Sequence, residues 1–221
     1  MKQSEFCEKM FENLINHELL NKGLDIYIPS QRKESKSGYD ALFNGNKKKV
    51  LVLQYKVVSQ YNKNTYDIMN AEKFKYDIYG KKDKGLYSFN QNKALVRLNK
   101  KGIKAGYCVP SFIDYNSLFC KLHNGTLLNH SFLIIPEDII DKKVPHYVVF
   151  DEKEAWLCCR NPSKVDIFSL ETLLDDQDCL QISKETFENI IWEVIQEEQP
   201  SNIKPSIDSY LASNKLVIIA K

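Results

Sequence analysis

Gln54 and Lys56 are two polar residues in an otherwise apolar run, VLVLQYKV, at residues 50–57. In a β-strand alternate side chains share a face, so the amide and the ammonium point the same way and the apolar neighbours point the other way. Burying both polar groups without partners is costly. Either they emerge into water at the edge or end of a sheet, or they face a site that uses them, and we favour the site.

Residues 38–56, GYDALFNGNKKKVLVLQYK, resemble the active-site hairpin of the PD-(D/E)XK nuclease superfamily, which includes restriction endonucleases and many repair nucleases. In that hairpin a metal-binding Asp lies on one strand, and an acidic residue, a spacer and a Lys lie on the next. The matching residues here are Asp40, Gln54 and Lys56, with Gln54 in place of the usual acidic residue. The likeness extends over residues 4–110.

The register of this predicted hairpin decides whether Asp40 can meet Gln54. If the two residues lie directly opposite each other, their Cβ atoms are about 4.5–5.5 Å apart, close enough to share a cation. A tight turn centred on Gly45 and Asn46 shifts the register and sends Asp40 to the opposite face. The site therefore requires a wider loop or a bulge.

The chemistry of phosphodiester hydrolysis accounts for these residue types. Negative charge develops on the scissile phosphate, and a divalent ion together with a fixed ammonium stabilises it. The resemblance implies that Asp40 and Gln54 are oxygen ligands of Mg²⁺ or Mn²⁺ and that Lys56 lies beside the attacking water and the phosphate. An amide in place of a carboxylate removes one negative charge, so we expect weaker metal binding than in the usual site.

The first helix, predicted over residues 4–21, offers a further acidic ligand. Glu5, Glu8 and Glu12 recur three and four residues apart and form one stripe. Superfamily members often place a Glu of this helix near the metal, which implies Glu12, with Glu5 as the competing choice. A solvated helix face is the alternative for each of them.

The net charge of +2 means that any nucleic-acid contact must come from a local basic patch. One candidate is the helix predicted over residues 91–102, which in nuclease relatives borders the substrate groove. Its basic residues are Lys93, Arg97, Lys100 and Lys101.

The local patterns give the order helix, three strands, then a crossover helix and a further strand. We expect an α/β fold with a restriction endonuclease-like mixed central sheet flanked by helices. Residues 1–150 form the nuclease-like core in this interpretation, and residues 151–221 form a C-terminal α+β extension packed on it within one domain. The strands expected in the core are 25–29, 39–43, 49–58, 73–79 and 105–112; the extension includes a helix over 184–198 and a strand in LVIIAK.

Composition places the chain among folded globular proteins, with 43% hydrophobic and 27% charged residues. Glutamates interrupt the stretch where a secretion signal would lie, and no segment approaches the roughly 20 apolar residues of a membrane span. The six cysteines show no C-x-x-C pair, which is typical of reduced thiols. We therefore expect a cytoplasmic protein with no membrane partner.

The resemblance implies a Mg²⁺- or Mn²⁺-dependent endonuclease that hydrolyses phosphodiester bonds in DNA, of the bacterial restriction or phage-defence type. A homodimer or a partner protein of a defence system fits such a role. The alternative is a catalytically inactive module of the same fold that binds nucleic acid or a partner protein, because the loss of a carboxylate at Gln54 is one step toward the loss of the metal.

Overall fold

The computed structural model describes residues 2–29, 43, 47–61, 73–79, 86–139, 146–159, 162–175, 181–198 and 205–221. Its helices are α1 (Glu8–Asn21), α2 (Leu86–Lys100), α3 (Tyr115–His123), α4 (Leu170–Asp175), α5 (Lys184–Glu198) and α6 (Ile207–Ser213), with a 3₁₀ turn at Leu128–His130. Its strands are β1 (Asp25–Tyr27), β2 (Lys48–Tyr55), β3 (Ser59–Gln60), β4 (Phe74–Tyr79), β5 (Lys104–Pro110), β6 (Ser131–Ile134), β7 (His146–Phe150), β8 (Ala155–Cys158), β9 (Ser163–Val165), β10 (Ile167–Ser169), β11 (Gln181–Ile182) and β12 (Val217–Ala220).

The strands form a mixed central sheet and a smaller antiparallel sheet. The central sheet has the order β1-β12-β2-β5-β6-β10, and β11 pairs with the start of β2. Only β2 and β5 run parallel among these pairs in the described chain, and α2 lies between them in sequence. The smaller sheet has the order β3-β4-β7-β8-β9. A mixed α/β architecture with a helix-flanked central sheet is thus confirmed.

Strand β2 is hydrogen-bonded along both edges, which overturns the expected hairpin with residues 39–43. Val52 pairs with Ile218 of β12 on one edge and with Ala105 of β5 on the other. Neither register considered for the hairpin fits, because each needs an edge of β2 that β12 or β5 already occupies. Phe43, the described residue of that segment, is helical rather than extended.

The two faces of the central sheet bury different sets of residues. Alternate residues of β2, such as Val50 and Val52, face a core shared with α2, α5 and α6, which we call the α2 face. The intervening residues Leu51, Leu53 and Tyr55 face a core shared with α1, α3 and α4, which we call the α1 face. The α2-face core also contains residues of β4, β7 and β8, so it joins the central sheet to the smaller one.

Helical spacing in the sequence accounts for the buried stripes of the longer helices. In α1, Phe11, Ile15 and Leu19 recur every four residues and are fully buried. Helix α5 buries Phe187, and the ring centroid of Phe187 lies 5.6 Å from that of Phe43. Each helix therefore contributes one apolar face to the layers around the sheet.

The C-terminal residues complete the central sheet instead of packing on it as an extension. Strand β12 lies between β1 and β2, and its four residues are all buried. Strands β10 and β11 also join the central sheet, and β8 and β9 join the smaller one. The division into a core at residues 1–150 and an added part at 151–221 therefore does not match the sheet topology, because the core sheet lacks a central strand without β12.

None of the helices in the described part of the chain combines the length and the apolar character needed to cross a membrane.

Gly106 of β5 tests how closely the central strands pack. A Cβ atom at this position would lie 2.5 Å from the backbone carbonyl oxygen of Ile134, so the backbone must shift. We expect Gly106→Ala to lower the free energy of unfolding by about 3 kcal/mol in urea denaturation. Gly102→Ala is the control: it meets no atom within 4 Å but has φ +87°, and a residue with a Cβ atom in that region costs about 1 kcal/mol. Equal losses in the two variants would contradict close packing at Gly106.

Candidate functional site

The candidate site lies at the carboxyl end of the parallel pair β2 and β5. Gln54 is next to last in β2 and is aligned with Tyr107 of β5. Sheets of this kind commonly bind ligands outside the carboxyl ends of their parallel strands. The helix that follows β2 and precedes β5, α2, packs on the same face and brings further polar side chains to this point.

The side chain of Gln54 is fully buried, with 0% of the residue exposed. Its Nε2 donates a hydrogen bond to Oε1 of Gln91 on α2 at 2.5 Å. Its Oε1 has no hydrogen-bond partner among the described residues. The interpretation that Gln54 emerges into water at a sheet edge is therefore wrong, because β2 is an interior strand and the amide is enclosed.

A buried carbonyl oxygen without a partner is a costly feature in a protein interior. Gln54 thus has one end of its amide satisfied by the protein and the other end available as an acceptor. Such an oxygen can accept a hydrogen bond from a ligand or water, or it can coordinate a hard cation.

Tyr107 and Asn92 continue the polar cluster beside Gln54. The hydroxyl of Tyr107 donates to Oδ1 of Asn92 at 3.1 Å, and Nδ2 of Asn92 donates to the carbonyl oxygen of Glu137 at 3.0 Å. Both side chains are almost completely buried. The hydrogen bonds hold the first half of α2 against β5 and against the segment after β6.

Tyr76 brings the smaller sheet to the same cluster. Its ring centroid lies 5.3 Å from that of Tyr107, and its hydroxyl has no partner within the described ranges. Burial raises the pKa of Tyr76 and the pKa of Tyr107 well above the usual tyrosine range. Both phenols therefore stay protonated at neutral pH and can act as hydrogen-bond donors.

Lys56 follows the end of β2 directly. Its backbone N–H donates to the carbonyl oxygen of Cys108 at 3.0 Å, which extends the pairing with β5 past Tyr55. Val57 packs in the α1-face core, like Leu51, Leu53 and Tyr55 before it. This alternation puts Lys56 on the α2 face with Gln54, as the sequence predicted, and its side chain is half-buried.

Asp40, the predicted anionic ligand, lies outside the described residues. The structure therefore places two of the three residues of the predicted motif, Gln54 and Lys56, on one face at the end of β2.

Glu12 lies on the other side of the sheet from Gln54. It is on α1, where Oε1 contacts the ammonium of Lys9 at 2.8 Å. It borders a cavity of about 470 Å³ whose wall also includes Tyr55, a residue of the α1 face. The sheet thus separates Glu12 from Gln54, and the two are not brought together.

Glu5, the competing choice, precedes α1 and is held by other contacts. Its Oε1 lies 3.3 Å from the ammonium of Lys2, and its Oε2 accepts a hydrogen bond from the backbone N–H of Tyr115 at 3.1 Å. Glu5 therefore joins the start of α1 to α3 and does not lie beside Gln54.

Ion pairs occupy most of the basic residues in α2 and directly after it. The guanidinium of Arg97 contacts Glu198 at 2.7 Å, and the ammonium of Lys101 contacts Glu193 at 2.5 Å, both on α5. Lys100 contacts Asp138 at 2.5 Å. These pairs join α2 to its neighbours, so the basic surface expected on this helix is largely neutralised by the protein itself.

Gln91 and Asn92 were not identified from the sequence, although a signal was present. Gln91 precedes Leu95 by four residues and Leu98 by seven, so it lies on the apolar stripe of α2. A polar residue on such a stripe indicates a buried partner, but it does not indicate which one.

No protein-family model, curated protein or solved structure matches this chain. The function is therefore inferred from the residues and the geometry of the site.

Removing the hydroxyl of Tyr107 tests whether the polar cluster stabilises the fold. Tyr107→Phe leaves Oδ1 of Asn92 buried without this donor, so we expect the free energy of unfolding to fall by about 1–3 kcal/mol. Tyr115→Phe, at a residue that is 42% exposed, should change it by less than about 0.5 kcal/mol. Urea denaturation of both variants measures the difference, and equal values would show that the Tyr107 hydroxyl contributes nothing.

Proposed function

We propose that this chain hydrolyses phosphodiester bonds, with DNA as the substrate, at a divalent-metal site that includes Gln54 and Lys56 at the end of β2. The observation that carries the proposal is the buried Oε1 of Gln54, which has no partner in the described part of the chain while the other end of its amide is bound by Gln91. The resemblance of residues 38–56 to the PD-(D/E)XK sequence motif, and a restriction endonuclease-like core in which β2 pairs with β12 and β5 and not in a hairpin, belong to the same proposal.

Among the described residues, the candidate ligand for a hard divalent cation is one neutral oxygen, Oε1 of Gln54. Mg²⁺ and Mn²⁺ prefer oxygen ligands, and the free acceptor of Gln54 is a carbonyl oxygen. Asp40, from outside the described residues, would supply the anionic ligand. When bound, the ion would lower the pKa of a coordinated water and stabilise the negative charge that develops on the phosphate.

The side chains at the site have separate roles in the proposed reaction. Gln54 offers its carbonyl oxygen and holds it in place through its bond to Gln91. Lys56 keeps a positive charge beside the phosphate, where an ammonium favours the increased charge of the transition state. The protonated hydroxyls of Tyr76 and Tyr107 form the wall behind the site and cannot repel an anionic substrate.

The charge of this site should make its metal binding weak. The amide of Gln54 contributes no negative charge, and Glu12 lies across the sheet, so Asp40 is the carboxylate on which the proposal depends. Calorimetric titration should therefore detect Mn²⁺ binding in the high micromolar to millimolar range, and Asp40→Asn should abolish it.

Lys56→Met tests the catalytic charge. Methionine retains most of the apolar stem of lysine, so the fold should be kept while the positive charge is lost. We expect cleavage of plasmid and short duplex DNA in Mn²⁺ to fall by about 100-fold or more. Lys164→Met is the control, because this exposed lysine of β9 contacts Glu154 within the smaller sheet and should leave the rate unchanged. Equal rates for the two variants and the unmodified chain would rule out the role of Lys56.

Gln54→Glu tests the site through protein stability. Burial raises the pKa of a carboxyl at this position above its value in the unfolded chain, so the folded state binds protons more readily. Without metal, the variant should therefore lose stability progressively as the pH rises from about 5 to 8, relative to the unmodified chain.

Millimolar Mn²⁺ should restore the stability of Gln54→Glu, because the ion binds the folded state. Thermal melts at several pH values, with and without Mn²⁺, measure both effects. Gln181→Glu is the control at an exposed residue of β11 and should show neither effect. A Gln54→Glu melting temperature that does not respond to Mn²⁺ argues against a cation at this position.

A binding module without catalysis is the second candidate function. It is favoured by one observation: Gln54 has an amide where the motif of the superfamily has a carboxylate, so the site lacks that negative charge. In that case DNA or a partner protein should bind equally well with Mn²⁺ and with a chelator. A binding assay under both conditions separates the two functions.

A further inference from the structure

We propose that the cavity beside the first turns of α1 binds a small primary amine, with its ammonium on Glu8 and Glu12 and its apolar body on β12. The cavity has a volume of about 470 Å³, which is within the size range of small-molecule sites. Its wall includes Tyr55 of the α1 face, so the central sheet separates it from Gln54. The amine site is therefore distinct from the proposed metal site and does not depend on it.

Two carboxylates one helical turn apart line the cavity, and the described residues do not neutralise both. Glu8 and Glu12 are four residues apart on α1, a spacing that puts like charges side by side at a cost in free energy. Glu8 is half-buried and makes no ion pair or hydrogen bond with the described residues. Oε1 of Glu12 contacts Lys9 at 2.8 Å, and within the described chain its Oε2 has no such contact. A cation between the two carboxylates relieves their repulsion.

The acidic wall is less exposed to water than the lysines of the cavity. The Glu12 side chain is 14% exposed, whereas the Lys9 side chain that contacts it is 63% exposed. Lys215, the other lysine of the described wall, is also exposed. A ligand therefore meets negative charge in the inner part of the cavity and positive charge near its mouth, which favours a cation over an anion inside.

Asn16 and Tyr55 add buried polar groups at the inner end of the acidic stripe. Asn16 follows Glu12 by one helical turn and is 5% exposed. The hydroxyl of Tyr55 donates to Oδ1 of Asn16 at 2.6 Å, and the other end of this amide has no hydrogen-bond partner in the described part of the chain. A buried amide with one unsatisfied end is costly, and a water that hydrates the bound ammonium satisfies it.

Apolar side chains of β12 and of the segment after β1 supply much of the remaining wall. Leu216 and Val217, at the start of β12, are 0% and 4% exposed. Ile28, directly after β1, is 46% exposed. An alkyl chain that covers Ile28 removes apolar surface from water, which stabilises the bound state. A metal ion has no such chain, so the wall fits an organic cation better.

Calorimetric titration with n-hexylamine, 1-hexanol and hexanoate at neutral pH tests the proposal, because these probes share an apolar body and differ in charge. Hexylamine should bind with a millimolar dissociation constant or a lower one, and the other two probes at least about tenfold more weakly. Methylamine, which lacks the apolar body, should also bind at least about tenfold more weakly than hexylamine.

Four results of these titrations would overturn the proposal. Hexanol that binds as tightly as hexylamine would show that the cavity takes up apolar groups without regard to charge. Tighter binding of hexanoate would show an anion site. Methylamine that binds as tightly as hexylamine would show that the apolar wall contributes nothing. No binding of hexylamine at millimolar concentration would show that the cavity does not hold an amine.

Two substitutions with opposite expected effects separate the roles of the charges. Glu12→Gln keeps the size of the side chain and removes its negative charge, so hexylamine affinity should fall about tenfold. Lys9→Met removes the ammonium that competes for Oε1 of Glu12, so affinity should rise about two- to fivefold. An anion site would reverse both effects.

The matched controls change the net charge equally at places away from the cavity. Glu193→Gln is on α5, where the carboxylate contacts Lys101, and Lys164→Met is on β9. Both should leave hexylamine affinity unchanged, and melting temperatures without ligand should show that every variant keeps its fold. If Glu12→Gln changes affinity no more than Glu193→Gln does, the ammonium does not lie on Glu12 and the proposal fails.

Discussion

The complete enclosure of β2 is the constraint on which the rest of the structure depends. This strand has neighbours on both edges, β12 and β5, and apolar cores on both faces. A strand in that position has no access to water along most of its length, so its residues must be apolar or must find partners inside the protein. Gln54 and Tyr55 of β2 meet this condition through side-chain hydrogen bonds to Gln91 of α2 and to Asn16 of α1.

The parallel relation of β2 and β5 explains why polar residues gather where they do. Two parallel strands need a crossover connection between them. Helix α2 lies in the connection between β2 and β5 and packs on one face of the central sheet. The first half of α2 therefore lies near the carboxyl ends of the strands, where Gln91 and Asn92 meet Gln54 and Tyr107. The cluster combines residues from a strand end, a helix and a neighbouring strand, which is a common way to build a site in an α/β protein.

The position of β12 has consequences for how the fold is completed. An unpaired β2 edge would present a row of backbone donors and acceptors beside very apolar side chains, a combination that favours aggregation. Strand β12 pairs with this edge, although it comes last in sequence among the described strands. Contacts between residues so distant in sequence form slowly, because the intervening chain must first be ordered.

Local pattern alone is enough to identify the three longest of the described helices, α1, α2 and α5, and several of the apolar strands. The buried stripe of α1, the end of α2 near Gly102 and the final strand at LVIIAK follow from spacing, glycine and apolar content, all of which act within a few residues. The placement of Gln54 and Lys56 on the same face also follows from the two-residue period of a strand.

Only the tertiary structure determines which strands pair and which helices pack on each face of the sheet. Nothing within residues 48–57 indicates that β12 will occupy the edge of β2, since pairing depends on residues far away in the chain; a hairpin with the preceding segment was the simpler local solution. In the same way, periodicity could mark Glu12 and Gln91 as members of a helix face but could not show which face of the sheet each helix covers. That choice, made by packing both apolar faces of β2, put Glu12 across the sheet and Gln91 against Gln54.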